Sequence, residues 1–291
     1  MRVFVLGGTG SIGGPTVRAL VKRGHEVVGL ARSESAAKKL AACGALPIPG
    51  NIRKPEEWLT ALEPCDGVIH AACDFDDAMQ EVESRLLDSL LPSLARNARR
   101  FIYTGGCWLF GATGEHVATE ATPFSALPAF AWALQHIRRI LETPGIEPVI
   151  IHPAMVYAGD AGVFSGFARD AMAGKPIRIV GSANVRWPLV HSADLADLYV
   201  LALERGMARE SYIGSAIDGL RVGRIAQAFA RRYGGGGRDL KIDSPDEISA
   251  ELGEWARGYA LDQQLSGEKA RSNLGWTPTH LDPESEIASM T

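Results

Sequence analysis

Directly after the apolar run Val3–Leu6 the chain reads Gly7-Gly8-Thr9-Gly10-Ser11-Ile12-Gly13. Gly7, Gly10 and Gly13 make a GxxGxxG spacing, and Gly8, Gly10 and Gly13 also satisfy GxGxxG. Glycines at this spacing let the backbone turn through angles that a Cβ forbids, and let a pyrophosphate approach the main chain. A helix that opens near Ser11–Ile12 points its free N–H groups and its positive dipole end at the same place. A chance cluster is the plain alternative in a chain with 32 glycines. The position between an N-terminal strand and an amphipathic helix argues against it. These residues predict a dinucleotide site.

The next apolar strand, Val27–Leu30, runs into Ala31-Arg32-Ser33. Chains that bind NAD usually end this strand in an acid that accepts from the ribose 2′-hydroxyl. Ala31 removes that carboxylate, and Arg32 offers a planar fork able to grip a 2′-phosphate. Ser33 adds a hydroxyl, and Lys38 and Lys39 add diffuse charge. The alternative is a solvated arginine at a strand end. The pattern favours NADP over NAD. Cys43, Cys65, Cys73 and Cys107 form no CxxC pair and no metal-ligand spacing with histidine, so no metal site is expected. Reduced thiols in a cytoplasmic protein are the expectation.

Strand, helix and strand within about 30 residues make a βαβ unit. Further strands are expected at Leu46–Ile48, Gly67–His70, Phe101–Thr104 and Val149–Ile151. Helices are expected at Pro15–Arg23, Ser35–Ala42, Pro55–Leu62, Ala78–Arg96 (with a bend at Pro92) and Ala129–Glu142. This alternation predicts an α/β fold, a doubly wound parallel sheet covered on both faces. After about residue 155 the rhythm loosens. Residues 1–155 read as the dinucleotide domain and 156–291 as a smaller substrate lobe, with 187–204 returning to the sheet. Short elements are expected near Leu240–Ile242 and Asp246–Arg257, and Gly234–Gly237 as a flexible connector. The 291 residues are 46% hydrophobic and 22% charged with a net charge of −4, so neither nucleic acid nor an anionic membrane is an expected partner. No apolar run reaches membrane-spanning length, and the chain enters a core strand at Arg2, so neither a span nor a signal peptide is expected.

The chain resembles the extended and atypical short-chain dehydrogenase/reductases, in particular the NAD-dependent epimerase/dehydratase group. Six ordered stretches carry the resemblance beyond the opening turn. Gly50-Asn51-Ile52-Arg53 is similar to a "GDxxD" turn, with Asn51 where the family has Asp against the adenine. Val68-Ile69-His70-Ala71-Ala72 matches the strand behind the cofactor, and residues 101–111 are similar to "FVYTSSxxVYG". His152-Pro153-Ala154-Met155-Val156-Tyr157 resembles "RPxxVYG", and residues 187–196 follow "xPLVHVDDLA". Leu274-Gly275-Trp276-Thr277-Pro278 resembles the terminal "LGWxP". The resemblance implies a Rossmann domain with a discontinuous C-terminal substrate lobe and a small-molecule substrate. It also implies a homodimer through the helices near 78–96 and 129–142. Cofactor contacts are implied for Gly7, Thr9, Gly10, Ser11, Ile12, Gly13, Ala31, Arg32, Ser33, Asn51, Ile52, Ala71, Ala72, Thr104, His152, Pro153 and Met155.

The family moves a proton with a Ser or Thr, a Tyr and a Lys four residues on. None of the six tyrosines here has a lysine at that spacing. Matching the motifs puts Gly106 at the serine position, Phe130 at the tyrosine and Leu134 at the lysine. Packing is kept and proton transfer is deleted, a loss of roughly 10²–10⁴-fold for a positioned general acid. Thr104 and His136 are the candidate replacements, although a lone helical histidine is as readily a core or surface residue. Cys107 faces the nicotinamide or is a small buried apolar residue. Trp108 and Trp132 wall a pocket or belong to the core. His191 and Asp194 are read as tying the lobe to the sheet. Two functions follow. One is an NADP-preferring oxidoreductase or epimerase/dehydratase-like protein acting on a small carbonyl compound or nucleotide sugar with a non-standard proton donor. The other is a non-catalytic NADP(H)-binding sensor or regulatory protein.

Overall fold

The computed structural model describes residues 1–96, 99–234 and 239–290. Strands and helices alternate through the first half: β1 (Arg2–Leu6), α1 (Gly13–Lys22), β2 (Glu26–Ala31), α2 (Glu34–Ala42), β3 (Leu46–Pro49), β4 (Gly67–His70), α3 (Met79–Ala95), β5 (Arg100–Thr104), α4 (Trp132–Glu142) and β6 (Glu147–Pro153). The second half adds β7 (Met155–Ala158), β8 (Ala161–Gly162), α5 (Ser165–Met172), β9 (Ile177–Val180), β10 (Arg186–His191), α6 (Ser192–Arg205) and β11 (Glu210–Gly214). It ends with β12 (Ile217–Arg221), α7 (Val222–Gly234), β13 (Leu240–Asp243), α8 (Pro245–Leu252), α9 (Glu268–Leu274) and α10 (Pro283–Ser289).

Seven parallel strands in the order β11-β6-β5-β4-β1-β2-β3 form the central sheet. This is the Rossmann order with a seventh strand at one edge. Val3, Phe4, Val5 and Leu6 are fully buried, because helices cover a parallel sheet on both faces. Leu40 of α2 sets the closeness of helix to sheet. A Cβ on Gly29 of β2 would lie 2.7 Å from it, and one on Gly8 2.9 Å.

Several expected elements differ. Pro55–Leu62 is two 3-10 turns, Pro55–Glu57 and Leu59–Leu62, divided at Trp58. The Trp58 indole donates to the Asn51 carbonyl at 2.8 Å and stacks on Phe4, so tertiary contacts override the helical pattern. The 246–257 stretch splits at Gly253, whose φ of +103° ends α8 before a 3-10 segment, Glu254–Ala260. Of the segment 187–204, α6 lies on the sheet beside α1, but β10 pairs with β7 and β12 in a separate four-stranded sheet. Trp187 draws β10 there by stacking on Phe167 at 5.7 Å. The strand that returns to the central sheet is β11, paired with β6 from Glu210↔Val149 to Gly214↔Pro153. Gly235–Gly237 of the glycine run lie outside the described residues. Among the described residues no helix is long and apolar enough to cross a membrane.

Asp194, near the start of α6, anchors the C-terminal segment. Its carboxylate accepts from the Thr279 and His280 amides and from the Thr279 hydroxyl, and pairs with His280 Nδ1 at 3.1 Å. Burial raises its pKa, but those amides and the His280 ring outweigh burial and hold it below the ordinary 3.8. A carboxyl lowered by folding contributes its stability above the unfolded pKa and loses it as pH falls through the folded one. Hydrogen exchange at Thr279 and His280 is therefore expected to rise, on acidification below that ordinary value, before exchange in β1 does. Simultaneous loss of protection in both would refute the anchor.

Candidate functional site

The turn between β1 and α1 is held flat by its own backbone. Gly7 has φ +80°, and a Cβ on it would lie 2.4 Å from the Ala71 carbonyl oxygen. A Cβ on Gly13 would lie 2.1 Å from the Gly7 carbonyl oxygen. Gly10, Thr9 and Ser11 form the exposed outer face, where a Cβ on Gly10 meets only Gly7 O at 3.4 Å. Ile12 stands at the N-cap with no side-chain cap, and the first turn of α1 has no acid. Gly14 and Thr16 already donate to the Gly10 and Ile12 carbonyls and Pro15 has no N–H, so among the described residues it is the amides of Ser11, Ile12 and Gly13 that are left for an anion, an arrangement that fits a pyrophosphate.

Behind the turn, Ala71 and Ala72 follow β4. His70 is buried and its Nε2 lies 3.0 Å from Glu83 of α3, while its Nδ1 accepts weakly from the Ala72 amide. With Nδ1 turned to that amide, Nε2 is the ring nitrogen that donates to the carboxylate. Burial opposes ionisation of Glu83, but His70 and the Tyr103 hydroxyl outweigh it and hold the pKa low. This pair fixes the strand end that closes on Gly7.

At the end of β2, Ala31 is buried and Arg32 is exposed. The Ser33 hydroxyl caps α2 by accepting from the Ala36 amide at 3.2 Å. Asn51 Oδ1 accepts from the Arg53 amide at 3.0 Å, shaping its own turn, and Ile52 packs against the core beneath. Arg32 Nη1 reaches Asp74 at 3.1 Å, and Arg53 Nε reaches the same carboxylate at 3.1 Å. Sequence reasoning passed over Arg53. Its neighbour Arg32 lies 21 positions away, and only the parallel packing of β2 and β3 brings them together.

At the end of β5, Gly106 stands before open space, since a Cβ built on it has nothing within 4 Å. The Thr104 hydroxyl donates to the His70 carbonyl at 2.7 Å and lies 2.6 Å from the Tyr199 hydroxyl. His152 is fully buried against Gly105, Phe110 and Phe124, with the Gly106 backbone as the polar group beside its ring. Burial pushes its pKa down to about 4, so the ring is neutral. Pro153 and Met155 are buried beside it. Cys107 is buried with its thiol pushed up to about 12, which keeps it protonated. Among the described residues no group of three or more His, Cys, Asp or Glu could hold a metal.

Phe130 ends a 3-10 turn, Pro128–Phe130, and Leu134 lies one turn on in α4. His136 is two residues past Leu134, a rotation of about 200° around the helix. Its Nε2 lies 3.2 Å from Ser84 of α3, and Trp132 packs on its edge. Both line a groove of about 700 Å³ between α3 and α4. The structure therefore places His136 in that groove against α3, and not among the aromatic rings that pack on Phe130.

That side is aromatic. Phe130 packs on Trp108 at 5.6 Å and on Phe75 at 6.3 Å. The second lobe supplies Trp255, 5.2 Å from Phe75 and 6.2 Å from Trp108, and Tyr259, 5.5 Å from Trp108. Gly258 makes the approach feasible, since a Cβ there would lie 2.4 Å from the Trp108 ring. Buried Gln263 fixes the Trp108 turn by donating to the Cys107 and Gly111 carbonyls. Among the described residues, Trp255 Nε1 is buried without a partner and the half-buried Tyr259 has no hydrogen bond through its hydroxyl. The Thr104 hydroxyl, by contrast, is engaged by the His70 carbonyl and the Tyr199 hydroxyl. Arg178 and Arg186 are occupied too, the first by Asp243 and Glu251 and the second by Asp262 and Glu115.

A model of the NAD dependent epimerase/dehydratase family matches residues 3–213. An uncharacterised Schizosaccharomyces pombe protein is 29% identical over 299 residues, covering 99% of each chain. A 4-hydroxy-2-methyl-3-oxo-4-farnesyl-3,4-dihydroquinoline-1-oxide ketoreductase from Stigmatella aurantiaca is 30% identical over 225 residues, covering 73% of this chain and 67% of its own. A dTDP-glucose 4,6-dehydratase double mutant from Streptomyces venezuelae superposes with a TM-score of 0.84, covering 99% of this chain and 95% of that one. At 19% identity that likeness speaks for the fold. With the matched model spanning most of the length, over a glycine turn and parallel sheet of the same form, the chain belongs to the NAD-dependent epimerase/dehydratase family.

Proposed function

We propose that this protein is an NADP(H)-dependent oxidoreductase that reduces the carbonyl of a flat, ring-bearing compound held between its lobes. The aromatic wall built by Phe75, Trp108, Phe130, Trp255 and Tyr259 beside the open space at Gly106 carries this reading. Such walls bind planar rings by stacking. The unpartnered Trp255 N–H is a donor for an oxygen on such a ring. The ring-bearing substrate in the name of the Stigmatella relative supports the same class.

Gly7, Thr9, Gly10, Ser11, Ile12 and Gly13 would hold the pyrophosphate, and Arg32 and Ser33 the 2′-phosphate. Asn51 and Ile52 would meet the adenine, while Ala71, Ala72, Thr104, His152, Pro153 and Met155 would line the nicotinamide half. Bound there, the cofactor supplies hydride. Neutral His152 keeps positive charge out of that half. We assign the proton to Tyr259, which would give its hydroxyl proton to the carbonyl oxygen and regain one from water. Thr104 reaches that oxygen only by leaving its bonds to His70 and Tyr199.

The test is NADPH oxidation across aryl ketones, aliphatic carbonyls and nucleotide sugars. Turnover is expected with aryl ketones, and with NADPH in preference to NADH. Turnover of nucleotide sugars alone would replace this reading with an epimerase or dehydratase. Tight NADPH binding without any turnover would leave the non-catalytic reading, which the residues at Gly106, Phe130 and Leu134 favour.

A further inference from the structure

Asp74 joins two guanidinium groups beside the phosphate turn, one on each carboxylate oxygen. Oδ1 accepts from Arg32 and Oδ2 from Arg53, each at 3.1 Å, while Asp76 takes the outer edge of Arg53 at 2.6 Å. The three groups leave the ends of β2, β3 and β4, and Ala71, three residues before Asp74, touches Gly7 of the turn. Guanidinium forks bind carboxylates and phosphates through the same donor pattern. Asp74 therefore holds Arg32 and Arg53 as a phosphomonoester would. Resting on the NADP(H) reading above, we infer that Arg32 and Arg53 together form the clamp for the 2′-phosphate, and that Asp74 is a built-in competitor the phosphate must displace.

The exchange favours the phosphate. A phosphomonoester carries about −1.5 to −2 charges near neutral pH against −1 for the carboxylate. The Arg32 side chain is 72% exposed and that of Arg53 36%, so each arginine–Asp74 pair shifts an equilibrium by no more than about fivefold. The 2′-hydroxyl of NAD(H) carries no charge and has no such advantage. Asp74 thus weakens NADP(H) alone, keeping the arginines ordered when the site is empty and easing release afterwards. The next residue, Phe75, packs on Phe130 and Trp255 in the aromatic wall. Freeing Asp74 loosens one tether of the segment that carries Phe75, which links phosphate binding to the substrate side.

Dissociation constants for NADPH, NADH and 2′-AMP should be measured on the wild-type chain and on Asp74→Asn and Arg53→Gln. Asp74→Asn is expected to tighten NADPH and 2′-AMP about three- to tenfold and to leave NADH within twofold. Arg53→Gln is expected to weaken NADPH about tenfold and leave NADH unchanged. On the wild-type chain, NADPH but not NADH should raise hydrogen exchange across residues 73–77. Weaker NADH binding in Asp74→Asn would make Asp74 an acceptor for the ribose hydroxyl and overturn the inference. An NADPH-selective wild type whose affinity is indifferent to Asp74→Asn would overturn it while leaving NADP(H) selectivity intact. Equal wild-type affinities would remove the NADP(H) reading and this inference with it.

Discussion

Gly13→Ala is expected to lower dinucleotide affinity by two orders of magnitude or more. The added methyl would sit 2.1 Å from the Gly7 carbonyl oxygen, well inside contact distance, and that oxygen belongs to backbone that cannot swing away as a side chain can. Relief requires opening the turn, which would move the Ser11, Ile12 and Gly13 amides away from the pyrophosphate that we propose they hold. Gly10→Ala is the control for folding. Its Cβ would meet only Gly7 O at 3.4 Å, so the turn survives and any loss reflects the ligand's approach to the outer face. Titration of nicotinamide fluorescence reads both variants. Affinity of Gly13→Ala within threefold of wild type would refute the packed-turn account.

Tyr259→Phe is expected to lower kcat by about 10²–10⁴-fold, the usual worth of a positioned general acid. KM should change little, because the ring stays and with it the edge contact on Trp108. Burial pushes the Tyr259 hydroxyl above its ordinary pKa of 10, so it remains a protonated donor throughout the neutral range. The wild-type rate should therefore hold level from pH 7 to above pH 10 and fall only when that proton leaves. If Tyr259 were a wall residue alone, its substitution would move KM and spare kcat. A kcat within twofold of wild type would remove it from the chemistry.

The sheet was legible because each strand states its own environment. Val3–Leu6 and Val149–Ile151 are unbroken apolar runs, as strands buried on both faces must be. The glycine turn was legible because glycine is a local requirement of a local geometry. Arg32 could be read at its strand end, but Arg53 and Asp74 acquire meaning only through one another. They lie 21 residues apart, and no pattern along the chain announces an ion pair. Trp255 and Tyr259 were missed for a similar reason. Trp255 sits after Gly253 within Asp246–Arg257, a stretch expected to hold a short element, and Tyr259 lies just beyond it, so contacts with Trp108 and Phe75 give them their place. The orientation of His136 needed no structure, since its rotation from Leu134 follows from the helical repeat.

The return of β11 to the central sheet governs how this protein can be made. Until residue 214 has left the ribosome, the apolar edge of β6 (Val149, Ile150 and Ile151) has nothing to pair with. An open apolar edge is a template for intermolecular strand addition. Contacts this far apart in sequence form slowly, which prolongs the exposure. A fragment cut near residue 155 would keep that edge permanently. The two lobes are therefore separable in architecture but not in synthesis, and shortened versions of the chain need β11 retained to remain in solution.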